Sequence, residues 1–147
     1  MKRVLVILIC ICVLFITSCS LTDKINNNFA KAIDLSEKFC LSLEANDMEK
    51  AKEYLCPTYS TPMKDDLEKY ITKLETYNNI DFSQGVTITN STQYGWWASN
   101  TLYYGYDVYE IVLDMLVDGK EISLFFKVAQ SENDSMLSIL SFGINPS

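Results

Sequence analysis

Three kinds of hydrophobic pattern follow one another along the chain. Residues 4–16 form an unbroken apolar run behind two basic residues, Lys2 and Arg3. From residue 29 to about residue 78, apolar positions recur every three or four residues, which is typical of amphipathic helices. Beyond residue 86 apolar and polar positions alternate, which is typical of strands with one buried face. The pattern predicts an N-terminal apolar segment, then helices, then a sheet.

The helical part divides into three predicted helices. The first covers residues 29–45. The second begins near Asn46, which stands three residues before a glutamate in the manner of a capping box, and Pro57 prevents its continuation. Thr61 and Pro62 are typical of an N-cap and a first helical residue, so a third helix should follow to about residue 78.

The alternating part predicts antiparallel strands. A first strand starts near residue 86, and a long strand ends at Val117. Asp118 and Gly119 then form a strong two-residue hairpin signal, followed by a return strand over residues 122–128. A last strand covers residues 136–144. The fold class predicted is α+β, with three N-terminal helices packed on an antiparallel sheet.

The N-terminal apolar run resembles the signal peptide of bacterial lipoproteins. It is shorter than the roughly 20 residues that a membrane-spanning helix needs. It ends in Ile16, Thr17, Ser18 and Cys19, which is similar to a lipobox. In that family the cysteine receives a diacylglyceryl group and a peptidase cuts before it, so the resemblance implies cleavage between Ser18 and Cys19 and lipidation of Cys19. A short N-terminal span or an ordinary signal peptide is the alternative.

The resemblance divides the chain into three parts. Residues 1–18 are the lipoprotein signal peptide, residues 19–28 are the lipidated cysteine and a flexible tether, and residues 29–147 are a single α+β domain. Successive asparagines before residue 29 favour coil over helix, which predicts the tether. The expected location is extracytoplasmic, on the cell membrane or the outer membrane.

The charge of the chain limits its partners. Nineteen acidic residues outnumber twelve basic ones, for a net charge of −7. Nucleic acid binding needs basic surface, so no nucleic acid partner is expected. The membrane contact predicted is therefore the lipid anchor. An envelope protein or a small apolar ligand is the further partner that the sequence allows.

The order of elements resembles the nuclear transport factor 2-like superfamily, close to the cystatin-like folds. The resemblance is carried by residues 42–51, SLEANDMEKA, and by the hairpin of residues 117–120, VDGK. It implies a curved sheet that wraps the long helix into a cone with a pocket. Some members are enzymes of the ketosteroid isomerase-like or scytalone dehydratase-like kind. Others bind ligands or partners, or form homodimers through the sheet.

Candidate catalytic chemistry is sparse. The chain has no histidine, which removes the commonest general base and the commonest metal ligand. We predict no catalytic residue, no metal site and no cofactor. A carboxylate base with a tyrosine donor remains open, because Asp107, Tyr109 and Glu110 lie on the longest predicted strand. The alternative is solvent-facing carboxylates beside a core tyrosine.

Aromatic residues give the best candidate for a ligand or partner surface. Tyrosine and tryptophan join apolar rings to polar tips, which suits binding surfaces. The alternative is that they cover the core and edge of a small sheet. The candidate surface consists of Tyr94, Trp96, Trp97, Tyr104 and Tyr106.

Cys40 and Cys56 are the remaining thiols of the mature chain. Outside the cytoplasm two cysteines could form a disulfide, and two buried thiols are the equal alternative. Taken together, the sequence predicts a lipid-anchored binding or accessory lipoprotein of the cell envelope, not an enzyme. The alternatives are a carboxylate-based isomerase or dehydratase with a pocket, and an envelope defence or immunity lipoprotein.

Overall fold

A computed structural model describes the backbone of residues 2–57, 61–100, 106–130 and 136–144, and the side chains of residues 21–57, 63–98, 106–130 and 136–144. The predicted α+β class is confirmed, with helices followed by a four-stranded antiparallel sheet in the order β1-β2-β3-β4. The elements are α1 (Lys2–Glu44), α2 (Met48–Glu53), α3 (Thr61–Asp65), α4 (Leu67–Asn78), a 3₁₀ turn (Phe82–Gln84), β1 (Val86–Asn100), β2 (Tyr106–Val117), β3 (Lys120–Gln130) and β4 (Leu137–Ile144).

Two details of the predicted helices are wrong. The described N-terminal half holds four α-helices and not three, because the predicted third helix is divided at Asp66, whose φ of −115° and ψ of 25° leave the helical region. Residues 20–28, for which the sequence favoured coil, lie inside α1. Tertiary contacts explain the second difference, since Ile25 packs against the core and Asn28 is buried. Cleavage after Ser18 stays a prediction.

The main core lies between α1 and one face of the sheet, which we call the inner face. Alternate residues of β2, from Tyr109 to Val117, point into this core and are all buried, as the period of two predicts. Phe39 of α1 packs edge-on against Phe126 of β3, with ring centroids 6.1 Å apart, and lies 4.6 Å from Phe142 of β4. These aromatic contacts hold the helix across the sheet.

The opposite face of the sheet, the outer face, carries a smaller apolar cluster formed by Cys56, Val108, Ala129 and Leu140. The segment after α2 reaches this region because it pairs with β4. The backbone N–H of Cys56 donates to the Ile139 carbonyl at 2.8 Å, and the Ile139 N–H donates to the Tyr54 carbonyl at 2.8 Å. This parallel bridge occupies part of the edge of β4 that does not pair with β3.

The sheet has two distinct ends. At the turn end, Asp118 and Gly119 have φ of 51° and 70° and connect β2 to β3, so the predicted hairpin is confirmed. The C-terminal end of α1 lies there, since a Glu44 carboxylate oxygen accepts from the backbone N–H of Val86 at 3.1 Å. At the other end, the loop end, β1 leads into β2 and β3 into β4. α1 therefore crosses the whole sheet.

Candidate functional site

A buried polar group lies on the inner face at the loop end. Asn28, which is 4% exposed, donates from Nδ2 to the Tyr109 hydroxyl at 2.8 Å and to Gln130 Oε1 at 2.7 Å. Because β2 and β3 are neighbours, one amide joins α1 to two strands. The ring of Phe29 packs edge-on against that of Tyr109, with centroids 5.1 Å apart. The group fixes where α1 meets the sheet.

Trp96 completes this group from β1. It is paired with Tyr109 across the two strands and packs, half-buried, against the inner core. Its Nε1 atom is buried beside the Tyr109 hydroxyl, without a hydrogen bond of good geometry among the side chains that the structure describes. An unsatisfied buried donor is costly, so this N–H is the one point of the group where an acceptor would be favoured.

The electrostatics of the group keep Tyr109 protonated. Burial raises the pKa of Tyr109, whereas the hydrogen bond from Asn28 lowers it and the negative charge of Asp107 raises it. Asp107, two residues before Tyr109 on β2, therefore acts on this hydroxyl through its charge. Glu110 does not join them, because it faces the outer side, where Lys127 Nζ lies 3.4 Å from Glu110 Oε1.

The predicted aromatic surface is divided by the sheet. Trp96 belongs to the inner face, whereas Trp97, Tyr94 and Tyr106 lie on the outer face. Tyr94 packs edge-on against Phe125 with centroids 5.9 Å apart and stays exposed. Tyr106 packs against the outer apolar cluster. Tyr104 lies outside the described residues. The five predicted residues therefore do not form one continuous surface.

Gly95 lies beside Trp97 and Glu110 on the outer face. A Cβ at this glycine would stand 3.1 Å from Glu110 Oε2, which would have to move slightly, and 3.6 Å from Trp97 Nε1, which is an ordinary contact distance. The register of β1 against β2 shifts between Gln93 and Gly95, and such a bulge redirects the side chains around it. Trp97 remains 54% exposed in this position.

A second polar cluster lies on the outer face near the turn end. Asp114 of β2 accepts from the Ser123 hydroxyl at 2.6 Å and from Asn90 Nδ2 at 3.1 Å, and these two hydrogen bonds lower the pKa of Asp114. A groove of about 930 Å³ passes this cluster. Sequence reasoning missed both Asn28 and Asp114. The alternation of β2 places Asp114 opposite the core, but only strand pairing brings its partners from β1 and β3.

The structure keeps the two candidate disulfide cysteines apart. Cys40 lies in the inner core and Cys56 in the outer cluster, both buried, and no bond joins them. Burial, with a smaller effect from the charge of Glu37, raises the pKa of the Cys40 thiol. The structure therefore agrees with the alternative of two buried thiols.

The remaining predictions concern lipid processing, the membrane and metal ions. Ser18 and Cys19 lie within α1, before the first described side chain, and their processing stays a prediction. Among residues with described side chains, no helix is long and apolar enough to cross a membrane. The same residues contain no group of three or more acidic or cysteine side chains that could hold a metal ion.

Comparison with known proteins adds no relative. The chain matches no protein-family model, no curated protein sequence and no solved structure.

Proposed function

We propose that this chain is a bacterial lipoprotein whose folded domain is held at the cell envelope by acylated Cys19. The observation that carries the proposal is the order of the first nineteen residues. Two basic residues are followed by an apolar run that is short for a membrane-spanning helix, and then by the lipobox-like Ile16, Thr17, Ser18 and Cys19. Two acyl chains supply stable anchoring, because each buried methylene contributes about 0.8 kcal/mol.

The test is to express the full chain in a bacterium that processes lipoproteins. Wild-type protein should fractionate with membranes and carry a diacylglyceryl group on its N-terminal cysteine. The variant C19S should keep its N-terminal segment and lack the lipid. A matched control is C40S, which removes a buried thiol of the domain and should leave acylation intact. Equal acylation of wild type and C19S would contradict the proposal.

The role proposed for the domain is a binding or accessory module. Exposed Trp97 and Tyr94 on the outer face support it, because such side chains are frequent at the centres of binding surfaces. Its partner would be an envelope protein, a small apolar ligand or a second copy joined through the sheet. Photocrosslinking in intact cells should recover a partner that W97A loses and that the exposed control Y77A retains. Equal recovery of the partner by both variants would contradict a place for Trp97 in the binding surface.

The finer fold proposed is a nuclear transport factor 2-like cone. Two features support it: sequential antiparallel strands follow a set of helices, and the long helix lies across one face of the sheet. An experimental structure of the folded domain in which the four strands stay flat, with no curvature around α1, would contradict it.

A pocket enzyme is the second candidate function. The observation that favours it is that Asp107 and Tyr109 are two residues apart on β2 and that the charge of Asp107 helps to raise the pKa of Tyr109. A carboxylate and a protonated tyrosine hydroxyl can together move a proton and stabilise a developing oxyanion. Enolisable ketone substrates should then exchange their α-hydrogens in the presence of the wild-type chain, and D107N should abolish the exchange. Absence of exchange in the wild type would remove this candidate.

A further inference from the structure

The two edge strands of the sheet differ in how far the described residues cover them. Part of the free edge of β4 is occupied by the segment after α2, whose Cys56 N–H donates to the Ile139 carbonyl. β1 forms the other edge, next to β2. Its residues 90–94 are all exposed. An uncovered edge presents N–H and C=O groups to which a further strand can hydrogen-bond.

The register identifies which backbone groups of β1 face this open edge. A two-residue turn follows Val117, so Val117 and every second residue before it hydrogen-bond to β3. The residues between them hydrogen-bond to β1, and Val112 therefore bonds to Thr92, which lies opposite it. The backbone groups of Ser91 and Gln93, on either side of Thr92, point away from β2. Among the described residues, none supplies a backbone partner for them.

The open edge is uncharged and has a regular central stretch. β1 holds no acidic or basic residue, although 21% of the chain is charged. Edge strands are commonly protected by lysine or proline, and β1 contains neither. Its register against β2 shifts between Ile88 and Asn90 and again between Gln93 and Gly95. Such bulges bend an edge, so regular pairing with a further strand is limited to residues 90–93.

We propose that two copies of the chain pair through this edge, β1 against β1 in antiparallel orientation, about a two-fold axis at Thr92. This register places Ser91 of each copy opposite Gln93 of the other, so their outward N–H and C=O groups exchange hydrogen bonds. The contact is made by the strand edges and not by a face of the sheet. The proposal rests on the binding role proposed above and names the partner that the domain meets.

The charge of the chain favours a second copy at this edge. Each chain carries a net charge of −7, so two copies repel each other wherever their acidic surfaces meet. Along β1 neither copy carries a charge. The side chains that meet there are hydroxyls and amides, which pair favourably across antiparallel strands. Thr92 meets its own copy on the outer face, and Ser91 meets Gln93 on the inner face.

The lipid anchor of the proposed function is compatible with this pairing. A two-fold axis that joins two antiparallel edge strands into one continuous sheet is perpendicular to that sheet. It leaves the inner faces of both copies on the same side, and α1 packs on the inner face. Both α1 helices therefore lie on one side of the joined sheet, where both Cys19 anchors can enter one bilayer. Confinement to one membrane raises the effective concentration of each copy for the other.

The experiment uses the full chain, acylated and reconstituted at low density into phosphatidylcholine vesicles. In T92C the two cysteines lie on the axis, where opposed Cα atoms are about 4.5 Å apart, within the range of a disulfide. The control is T87C, which places an exposed cysteine on the same strand, away from the axis, with its two copies about 33 Å apart. Cys40 and Cys56 are buried. Under mild oxidation we expect disulfide-linked dimers to form several-fold faster in T92C than in T87C.

A second variant tests the hydrogen bonds of the pairing. S91P removes an N–H that points to the open edge and leaves the bonds of Thr92 to β2 in place. T92C/S91P should therefore keep the circular dichroism of the wild type and lose the rapid crosslinking, and rapid crosslinking in this variant would contradict the pairing. If S91P does not fold, the mass of the wild type in detergent by analytical ultracentrifugation decides. A dimer is expected, and a monomer would overturn the proposal.

The remaining outcomes separate the partner and the anchor. Equal crosslinking rates of T92C and T87C would overturn the proposal. A photocrosslinking amino acid at position 92 in intact cells should attach to a second copy, and attachment to a different protein alone would also overturn it. The mass of the N-terminal peptide is measured in the same samples. An unacylated chain that crosslinks through T92C would contradict the proposed anchor and support the pairing, whereas an acylated chain that does not crosslink would overturn the pairing and leave the anchor.

Discussion

Asn28 should contribute to stability far more than the asparagine beside it. Its amide donates to the Tyr109 hydroxyl at 2.8 Å and to Gln130 Oε1 at 2.7 Å, and the residue is 4% exposed. Asn27 precedes it on the same helix and is exposed. The variants N28A and N27A therefore make the same chemical change in the same helix, with and without the two hydrogen bonds.

The expected loss of unfolding free energy in N28A follows from its two hydrogen bonds. Each hydrogen bond contributes about 0.5–1.5 kcal/mol net, so the loss of two removes about 1–3 kcal/mol. Alanine is a better helix former than asparagine by about 0.6 kcal/mol, and this gain applies to both variants. We expect N27A to be slightly more stable than wild type. N28A should be less stable than N27A by about 1–3 kcal/mol.

The assay is equilibrium urea unfolding of the three proteins in detergent, followed by circular dichroism. The urea concentration at the midpoint should fall for N28A and stay or rise for N27A. The slope of the unfolding free energy against urea concentration should be the same for all three proteins. Equal midpoints for the two variants would refute the assignment of Asn28 as the residue that fixes α1 to β2 and β3. Equal midpoints would also mean that these two hydrogen bonds do not hold the N-terminal part of α1 on the sheet.

Three further predictions concern other parts of the fold. The folded pKa of Asp114 is lowered by Ser123 and Asn90, so its contribution to stability is present above the unfolded value of about 3.9 and is lost as the pH falls through the folded value. S123A should raise the pKa of Asp114 in an NMR titration, and an unchanged value would contradict the hydrogen bond as its cause. G119A should cost about 1 kcal/mol in urea unfolding because φ is 70° and no atom crowds the new methyl group, so a neutral effect would contradict the left-handed turn. Cys40 and Cys56 should stay unlabelled by a thiol reagent until the protein unfolds, and a native disulfide between them in a peptide map would contradict their separation.

The strands could be predicted from sequence because their signals are local. Alternation from Tyr109 to Val117 sets the buried face of β2, and Asp118 with Gly119 supplies the backbone conformation of the hairpin. These predictions needed no knowledge of which strand is adjacent in space.

The helical segment before residue 29 could not be predicted in the same way. Asparagine has a low helix propensity, and three in succession favour coil. The helix continues because the Asn28 amide finds partners on two strands and Ile25 finds the core, and these contacts are distant in sequence. Local propensity is overridden here by tertiary contacts.

The aromatic surface was predicted from composition, and the sheet divides it. Trp96 and Trp97 are neighbours in sequence and therefore point to opposite faces of β1. The bulge after Gln93 changes the phase of the alternation at Tyr94, and a bulge leaves no clear signal beyond the presence of Gly95. Composition could identify the residues of a candidate surface but not which of them share it.

The most direct test of lipid anchoring is the mass of the N-terminal peptide of the chain recovered from bacterial membranes. If Cys19 is the anchor, the mature protein begins at Cys19 and this peptide carries a diacylglyceryl group. A recovered chain that still begins at Met1, or one that begins at another residue without acylation, would contradict lipid anchoring and with it the proposed function.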